Sequence, residues 1–489
     1  MSFTLPVTGT TLTLGFATKA PKKPEALLIP VTKGDTLEVP VTALVPKGLL
    51  EALERVGATG KHGEVTRVLH DDQLVIAFGL GDAEELDDDA VRRGAGVLGR
   101  SLKGVREAVI STEFGVTPIV EGLLLGGYSY GGFKSVDSKK DKKAKDDKPV
   151  TITVVAEKSA KDEFVAAQIV CESVNLARDL VNTPANHLYP EVYAELVQSV
   201  GKEAGLKVDV LDEKALEKGG FGGLIAVGKG SVRPPRLVHL SWAPRRAKKK
   251  VALVGKGITF DTGGISLKPG SKMEDMISDM GGSAMMLGAT IAAARLDLPV
   301  QVDTWLSMAE NMPSGGATRP GDVITHYGGK TSEIINTDAE GRVVLADALA
   351  RASEEKPDFL IEASTLTGAQ LVALGARTAG VMGSDEFRDR VAQTARDAGE
   401  PAWAMPLPEE TAEDLKSPIA DVRNSHNSRF AGMLVAGRYI EAFVGEGIEW
   451  AHVDIAGPAF NGGSAHGYTP KRATGYGVRS VVNVLRSLV

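Results

Sequence analysis

One segment of the chain combines carboxylates, a glycine and an arginine at close spacing. It reads Ile335-Asn336-Thr337-Asp338-Ala339-Glu340-Gly341-Arg342. Asp338 and Glu340 are two residues apart, so in an extended segment both side chains point to the same side, where they can share a cation or a proton. Arg342 adds a fixed positive charge next to them. The segment therefore contains the residue types needed to hold ions.

The same acids also have a simpler interpretation. Residues 331–335 are typical of a short strand, and apolar residues then follow at helical spacing, namely Val344, Leu345, Ala348 and Leu349. Acids at such a strand-to-helix turn often only cap the helix and offset its dipole. Ion binding is favoured over capping only if further acids join the cluster.

A second charged segment follows a predicted strand at Lys250–Val254. The run from Gly255 to Lys268 is rich in glycine and carries Lys256, Asp261 and Lys268. Open α/β sheets bind ligands beyond the carboxyl ends of their strands, so we expect this run to form a glycine-rich turn at a ligand site. A phosphate-binding loop is the alternative, but the spacing matches neither G-x-G-x-x-G nor G-x-x-x-x-G-K-[ST].

Asp279 precedes a predicted helix and is either its cap or a further member of the cluster. Four carboxylates in one crevice repel one another and raise one another's pKa unless cations neutralise them, which one or two divalent metals would do. The eight histidines contain no His-x-x-x-His or comparable pair, so oxygen ligands would dominate, and such a set suits Mg, Mn or Zn. A metal also favours the neutral amine of a lysine as a ligand. The sequence leaves open whether Lys256 or Lys268 takes that role.

Strand and helix patterns alternate along the chain, which predicts an α/β fold. We expect a smaller N-terminal α/β domain over residues 1–160, a helical connector over 161–180, and a larger α/β domain over 181–489 whose mixed, largely parallel sheet is covered by helices. Residues 134–148 are almost purely charged, which predicts a solvated, mobile loop; a basic arm that binds nucleic acid is the alternative.

Composition limits the class of protein. The chain has 489 residues, 43% hydrophobic and 24% charged, which is typical of a globular protein with more than one domain. Its net charge of −7 provides no overall attraction to nucleic acid or anionic membrane. The single cysteine excludes an intramolecular disulfide and favours the cytoplasm. We expect neither a signal peptide nor a membrane-spanning segment.

The segments quoted above resemble those of the leucyl aminopeptidase, or cytosol aminopeptidase, family. Residues 336–342 are similar to its signature, residues 255–268 to its first metal-binding segment, and residues 279–282 to its next one. Residues 175–184 and 469–479 are similar to the opening and the C-terminal region of its catalytic domain. The resemblance covers residues 165–489 and is weak before residue 160.

The resemblance implies a dinuclear metallo-aminopeptidase that releases N-terminal residues from peptides, leucine and other apolar residues preferred. It implies that one metal, Mn or Zn, is held by Lys256, Asp261, Asp279 and Glu340, and the other by Asp261, Asp338 and Glu340. Lys268 would stabilise the oxyanion, and Arg342 would hold a bicarbonate ion that acts as general base. The substrate-binding residues implied are Met276, Asn336, Thr365, Leu366 and Gly368, with the region near Ala456.

The family also implies a homohexamer. Residues 423–430 depart from the family pattern, whereas all seven positions predicted to carry the chemistry keep it. Two other functions stay open on the sequence alone. One is an architectural or regulatory role in DNA binding, against which the acidic balance counts. The other is a catalytically silent scaffold, against which the complete set of site residues counts.

Overall fold

The structure is a computed structural model that describes residues 4–40, 42, 44–135 and 149–489. Apart from its first two residues, the predicted mobile loop at 134–148 lies outside the described residues. The chain divides into two compact units. The small unit comprises Val7–Asn175 and Gly462–Arg472, and the large unit comprises Leu176–Asn461, Ala473–Val489 and the N-terminal residues up to Pro6. Helix α4, at Lys161–Asn182, runs across the division between Asn175 and Leu176.

The small unit is an α/β unit built on one mostly parallel sheet. Its strand order is β1-β7-β6-β2-β5-β4, in which β4 is antiparallel to β5, and β3 adds to β2. The strands are β1 Thr13–Ala17, β2 Ala26–Lys33, β3 Leu37–Glu38, β4 Val65–His70, β5 Gln73–Asp82, β6 Glu107–Ser111 and β7 Thr151–Val155. The helices are α1 Leu49–Arg55, α2 Asp88–Arg100 and α3 Val116–Gly126, with a 3-10 turn at Lys158–Ala160.

The large unit contains a mixed sheet with the order β16-β15-β18-β14-β10-β11-β9-β8. Its central strands β18, β14, β10 and β11 are parallel, and β15, β9 and β8 add antiparallel pairs. The strands are β8 Lys207–Leu211, β9 Arg236–Trp242, β10 Lys250–Asp261, β11 Gln301–Asn311, β12 Val323–Thr325, β13 Thr331–Glu333, β14 Phe359–Ser364, β15 Ala379–Gly383, β16 Ala402–Ala404, β17 Val422–Arg423, β18 Glu449–Asp454, β19 Phe460–Asn461 and β20 Arg472–Ala473, the last of which begins in the small unit.

The helices of the large unit pack against this sheet or against one another. They are α5 Pro190–Glu203, α6 Glu213–Gly219, α7 Gly222–Gly228, α8 Gly281–Arg295, α9 Glu340–Glu354, α10 Gly368–Leu374, α11 Asp385–Asp397, α12 Glu410–Glu413, α13 Gly432–Glu441 and α14 Val478–Ser487, with a 3-10 helix at Met273–Ser278. Both α8 and α9 pack against β10, and the apolar residues of α9 form one buried cluster with those of β10 and β11. The predicted fold class, a smaller and a larger α/β domain with a mixed and largely parallel sheet, is confirmed. Within the described ranges, no helix is both long and apolar enough to cross a membrane.

The predicted strand at Lys250–Val254 is longer than expected, and the prediction of a glycine-rich turn from Gly255 is wrong in its first half. β10 continues to Asp261, paired with β11 throughout. Gly255 is needed for close packing inside this strand, because a Cβ there would lie 2.6 Å from Cα of Ser283 on α8. Glycine in a strand often marks such an approach.

Candidate metal centre

Strand β10 positions the first two charged residues of the site. Lys256 and Asp261 are five residues apart, and an odd separation would place them on opposite faces of a regular strand. The pairing of β10 with β11 shifts register between Ile258 and Phe260, and an extra residue of this kind turns the following side chains to the other face. Both residues are buried, with 2% of their surface exposed, and both contribute to one charged cluster.

The 3-10 helix at Met273–Ser278 delivers Asp279 to the same cluster. The N-cap of α8 is Met280, which makes no side-chain capping bond, so Asp279 is not the helix cap that the sequence left open. Its Oδ1 accepts a hydrogen bond from Thr365 Oγ1 at 2.7 Å, and its Oδ2 lies 2.8 Å from Lys256 Nζ. Asp279 therefore faces the neighbouring strands.

Residues 335–342 form a turn followed by the start of α9, so the cluster lies at the strand-to-helix turn between β13 and α9, and the segment around Asp338 is not extended. Ala339 N donates to Asn336 O at 3.2 Å, and Asp338 N donates to Asn336 Oδ1 at 2.9 Å. Glu340 begins α9, whose N-cap Ala339 makes no side-chain capping bond. The turn, rather than strand periodicity, brings Asp338 and Glu340 together.

Three carboxylates meet at one point. Ligand atoms of Asp261, Asp338 and Glu340 all lie within 4.8 Å of one another. Two lysines lie between the acids. Lys256 Nζ is 2.8 Å from both Asp279 Oδ2 and Glu340 Oε1. Lys268 Nζ is 2.8 Å from Asp261 Oδ2 and also pairs with Asp338. Gly341 leaves room for this arrangement, because a Cβ there would lie 2.7 Å from Lys256 Nζ.

The charges of this cluster do not balance when every group is ionised. Asp261, Asp279, Asp338 and Glu340 carry four negative charges against two ammonium groups. Burial, followed by the charge of Asp261, raises the pKa of Glu340 to about 8, and burial raises the pKa of Asp279 to about 6. Burial raises the pKa of Asp338 as well. A buried, acid-rich cluster of this kind favours cations.

The donor atoms fit divalent metals. Glu340 Oε2 is buried and accepts no hydrogen bond from any residue in the described ranges. The acids supply oxygen ligands, which suit hard or borderline divalent ions. For Lys256, burial opposes the charged form, but the charges of Asp279, Glu340 and Asp261 outweigh it and raise the pKa. The Lys256 ammonium group pairs with the carboxylate oxygens of Asp279 and Glu340, and a metal bound here would use the same oxygens as ligands.

Arg342 is buried next to this cluster without an ion pair to its acids among the described residues. Its NH1 donates to Asn424 O at 2.9 Å, while its Nε is buried and donates to no described residue. Burial lowers the pKa of the guanidinium. The free Nε donor is the kind of group that can bind a small anion.

The predicted substrate segment lies beside the cluster. Thr365 O accepts a hydrogen bond from Lys256 Nζ at 3.1 Å. Leu366 follows it, and Gly368 begins α10 beside open space, since a Cβ at Gly368 would have no described atom within 4 Å outside its own stretch of chain. Met276 lies in the 3-10 helix and is partly exposed, and Asn336 opens the turn that carries Asp338.

Three polar residues that the sequence analysis missed hold these segments in place. Asn311, at the end of β11, donates from Nδ2 to Asp261 Oδ1 at 2.8 Å and to Thr337 O at 3.0 Å. Asp454, at the end of β18, accepts from Leu366 N at 3.2 Å and from Thr367 Oγ1 at 2.7 Å. Asn424 follows β17. Polar residues at the carboxyl ends of neighbouring strands are a signal that could have identified the first two.

Comparisons with known proteins all point to one family. Residues 175–482 match the sequence profile described as the cytosol aminopeptidase family, catalytic domain, and residues 30–137 match the N-terminal domain of that family. A probable cytosol aminopeptidase of Corynebacterium diphtheriae is 58% identical, covering 99% of this chain and 99% of the relative. One of Rhodococcus jostii is 51% identical, covering 90% and 89%.

A solved structure shares the fold over nearly the whole chain. It is described as the bottromycin maturation enzyme BotP in complex with Mn. Its TM-score to this chain is 0.85 at 34% sequence identity, and the match covers 95% of this chain and 99% of that one.

Proposed function

The chain belongs to the cytosol aminopeptidase family, and we propose that it is a two-metal aminopeptidase that releases N-terminal residues, preferably leucine and other apolar residues, from peptides. The observation that carries this proposal is the meeting of Asp261, Asp338 and Glu340 within 4.8 Å, with Asp279 joined to Glu340 through Lys256. Bound there, two divalent cations would lower the pKa of a water molecule and polarise the peptide carbonyl.

The different burial of the two lysines supports different roles for them. Lys256 is enclosed, with 3% of its side chain exposed, and contacts Asp279 and Glu340. Lys268 is 23% exposed and contacts Asp261 and Asp338. We therefore assign Lys256, with Asp261, Asp279 and Glu340, to one metal, and Asp261, Asp338 and Glu340 to the other. Lys268 faces the substrate, where its positive charge stabilises the oxygen that becomes negative in the transition state.

Arg342 is assigned to hold bicarbonate, which would supply a general base for the attacking water. Its unpaired Nε donor and its buried position support an anion at this place. A base held close to the reacting water contributes to hydrolysis by general base catalysis. In this assignment the guanidinium keeps the anion in place and does not itself exchange a proton.

Substrate selection follows from the same surroundings. The metal pair, when bound, would hold the free α-amine of a peptide, which would limit cleavage to the first peptide bond. The first side chain lies among Met276, Thr365, Leu366 and Gly368, near Ala456, and Asn336 contacts the peptide from the turn of residues 335–339. Open space at Gly368 leaves room for an apolar side chain.

The metal, the compartment and the assembly belong to the same proposal. An oxygen-rich ligand set and the Mn bound to BotP favour Mn, with Zn as the alternative. The names of the relatives and the single cysteine favour the cytoplasm. We propose a homohexamer on the basis of family membership.

Hydrolysis of leucine p-nitroanilide by metal-stripped protein tests the proposal, with Mn, Zn, Co or Mg restored one at a time. Activity should return with metal and be lost in Asp338→Ala. Asp275→Asn is the matched control, because Asp275 lies four residues before Asp279 and pairs with neither Lys256 nor Lys268 among the described residues. Absence of activity with every metal would favour the scaffold or DNA-binding function instead.

A further inference from the structure

Asn424 is a fully buried amide that contacts the metal-binding turn on two sides. Its Oδ1 accepts hydrogen bonds from Ile335 N at 2.8 Å and Asn336 N at 3.3 Å. Its Nδ2 donates to Asn336 O at 2.7 Å and to Ala339 O at 3.4 Å. The side chain has no exposed surface. Both ends of the amide are satisfied by the backbone of a single turn.

The main chain of the same residue contacts the arginine of the site. Asn424 O accepts a hydrogen bond from Arg342 NH1 at 2.9 Å. Its N donates to Glu333 O at 3.0 Å, which continues the pairing of β17 with β13 by one residue. Asn424 is therefore fixed by a strand outside the metal cluster, and from there it holds the turn and the guanidinium together.

An asparagine is suited to this position for a chemical reason. The turn presents two N–H donors and two carbonyl acceptors, and a carboxamide offers one acceptor atom and one donor atom in a single plane. A carboxylate could accept from both N–H groups but would place its second oxygen against the two carbonyl oxygens. An alanine would remove this partner from all four backbone groups, and although Asn336 O would keep its bond from Ala339 N, each lost hydrogen bond to a partly buried group is costly.

We infer that Asn424 is a positioning residue of the metal centre: it sets the conformation of the turn that carries Asp338 and Glu340, couples it to Arg342, and thereby sets the affinity for metal. This inference rests on the proposed function, because it assumes that these carboxylates bind metal. Outer partners that orient metal ligands typically contribute a factor of about 10 to 100 in metal affinity. The cluster itself does not include Asn424, which contacts none of the four carboxylates directly.

The test measures Mn²⁺ affinity by competition with a fluorescent chelator for the full-length wild type, Asn424→Ala and Asn424→Asp. Both variants should bind Mn²⁺ roughly 10- to 100-fold more weakly. The aspartate adds negative charge, so stronger binding by Asn424→Asp would show that charge, and not the hydrogen bonds, sets the affinity. Hydrogen exchange at the amides of Ile335 and Asn336 should become faster in Asn424→Ala, which removes the acceptor of both, independently of any catalytic activity.

Glu400→Ala is the matched control. Glu400 is also buried and accepts hydrogen bonds from two backbone N–H groups, those of Gly477 at 3.1 Å and Ser480 at 3.0 Å. Its loss should lower the melting temperature and leave Mn²⁺ affinity within about twofold of the wild type, since it contacts the start of α14 and not the metal-binding turn.

Each outcome has one meaning. A wild type that binds neither Mn²⁺ nor, in the same competition assay, Zn²⁺, Co²⁺ or Mg²⁺ refutes the proposed function. A wild type that binds Mn²⁺, together with Asn424 variants that bind it equally well, refutes the inference alone. So does slow exchange at Ile335 and Asn336 that persists in Asn424→Ala. Failure of both Asn424 variants to fold would assign the residue to the stability of the fold and would also overturn the inference.

Discussion

Metal binding at this site should release protons, because buried carboxylates hold protons that exposed ones would have lost. Burial, and then the charge of Asp261, raises the pKa of Glu340 to about 8, and burial raises that of Asp279 to about 6. An acid with a raised pKa keeps its proton below that pKa, so Glu340 is mostly protonated at neutral pH. Since a ligating carboxylate must be ionised, metal affinity should rise as the pH approaches 8 to 9.

The size of the effect follows from these values. At pH 7 the metal-free protein carries about 0.9 of a proton on Glu340 and about 0.1 on Asp279, so the two carboxylates should release about one proton. At pH 9 their contribution falls to about 0.1. Lys256 stays protonated at both pH values, because the carboxylates around it outweigh burial and raise its pKa. Its amine must therefore lose a further proton at either pH if it ligates metal.

Calorimetric titration with Mn²⁺, performed without oxygen in buffers of different ionisation enthalpy, counts these protons. Proton release should fall by about one per site between pH 7 and pH 9, and at least one proton should still be released at pH 9. Asp275→Asn should behave as the wild type. Proton release that is the same at both pH values would refute the role of Glu340. No release at pH 9 would exclude the Lys256 amine as a ligand.

Three further predictions concern single positions and the metal itself. Asp454→Ala removes the acceptor of Leu366 N, Ala456 N and Thr367 Oγ1. Because a hydrogen bond to a charged group contributes about 1.5–3 kcal/mol, KM for leucine p-nitroanilide should rise about tenfold. Unchanged steady-state constants would contradict this prediction. Gly255→Ala should lower the free energy of unfolding in urea by about 1–3 kcal/mol or more, because the added methyl group meets α8. Gly270→Ala should have little effect, since nothing lies within 4 Å of the added Cβ. Equal stabilities of the two variants would show that β10 and α8 can separate. Mn²⁺ at about 100 times its Kd should stabilise the protein by about 2.7 kcal/mol in thermal unfolding but should not stabilise Asp338→Ala; equal shifts would place the metal elsewhere.

The sequence predicted the fold class and the residue types of the site better than their local conformations. Alternation of strands and helices was sufficient for an α/β protein, because each apolar run has the length and period of its element. It did not reveal that β10 extends to Asp261, because glycine is uncommon in strands and this stretch contains Gly255 and Gly257. Both glycines are explained only by the close approach of α8 and β11. The strand-to-helix turn at Asp338 was predicted, but not that Asn336 closes it with its own backbone and side chain.

Residues that act at long range were not predictable from local patterns. Asn424 forms hydrogen bonds with Arg342 and Asn336, which are 82 and 88 residues away in the sequence. No rule of sequence spacing links residues so far apart. It also lies in residues 423–430, which depart from the family pattern. Composition and spacing did not distinguish Lys256 from Lys268 as a metal ligand; the resemblance favoured Lys256, and its burial supports that proposal. The predicted domain bounds at residues 160 and 180 stay a proposal.

The most direct measurement of the central proposal is the order in which a short peptide loses its residues. A pentapeptide that begins with leucine should be followed by mass spectrometry with the Mn²⁺-loaded protein, alongside its N-acetylated form and a sample with excess chelator. The account predicts release of leucine first, then shortening only from the N-terminus, and no reaction of the acetylated peptide or in chelator. Internal cleavage, reaction of the acetylated peptide, or cleavage that persists after metal removal would contradict it.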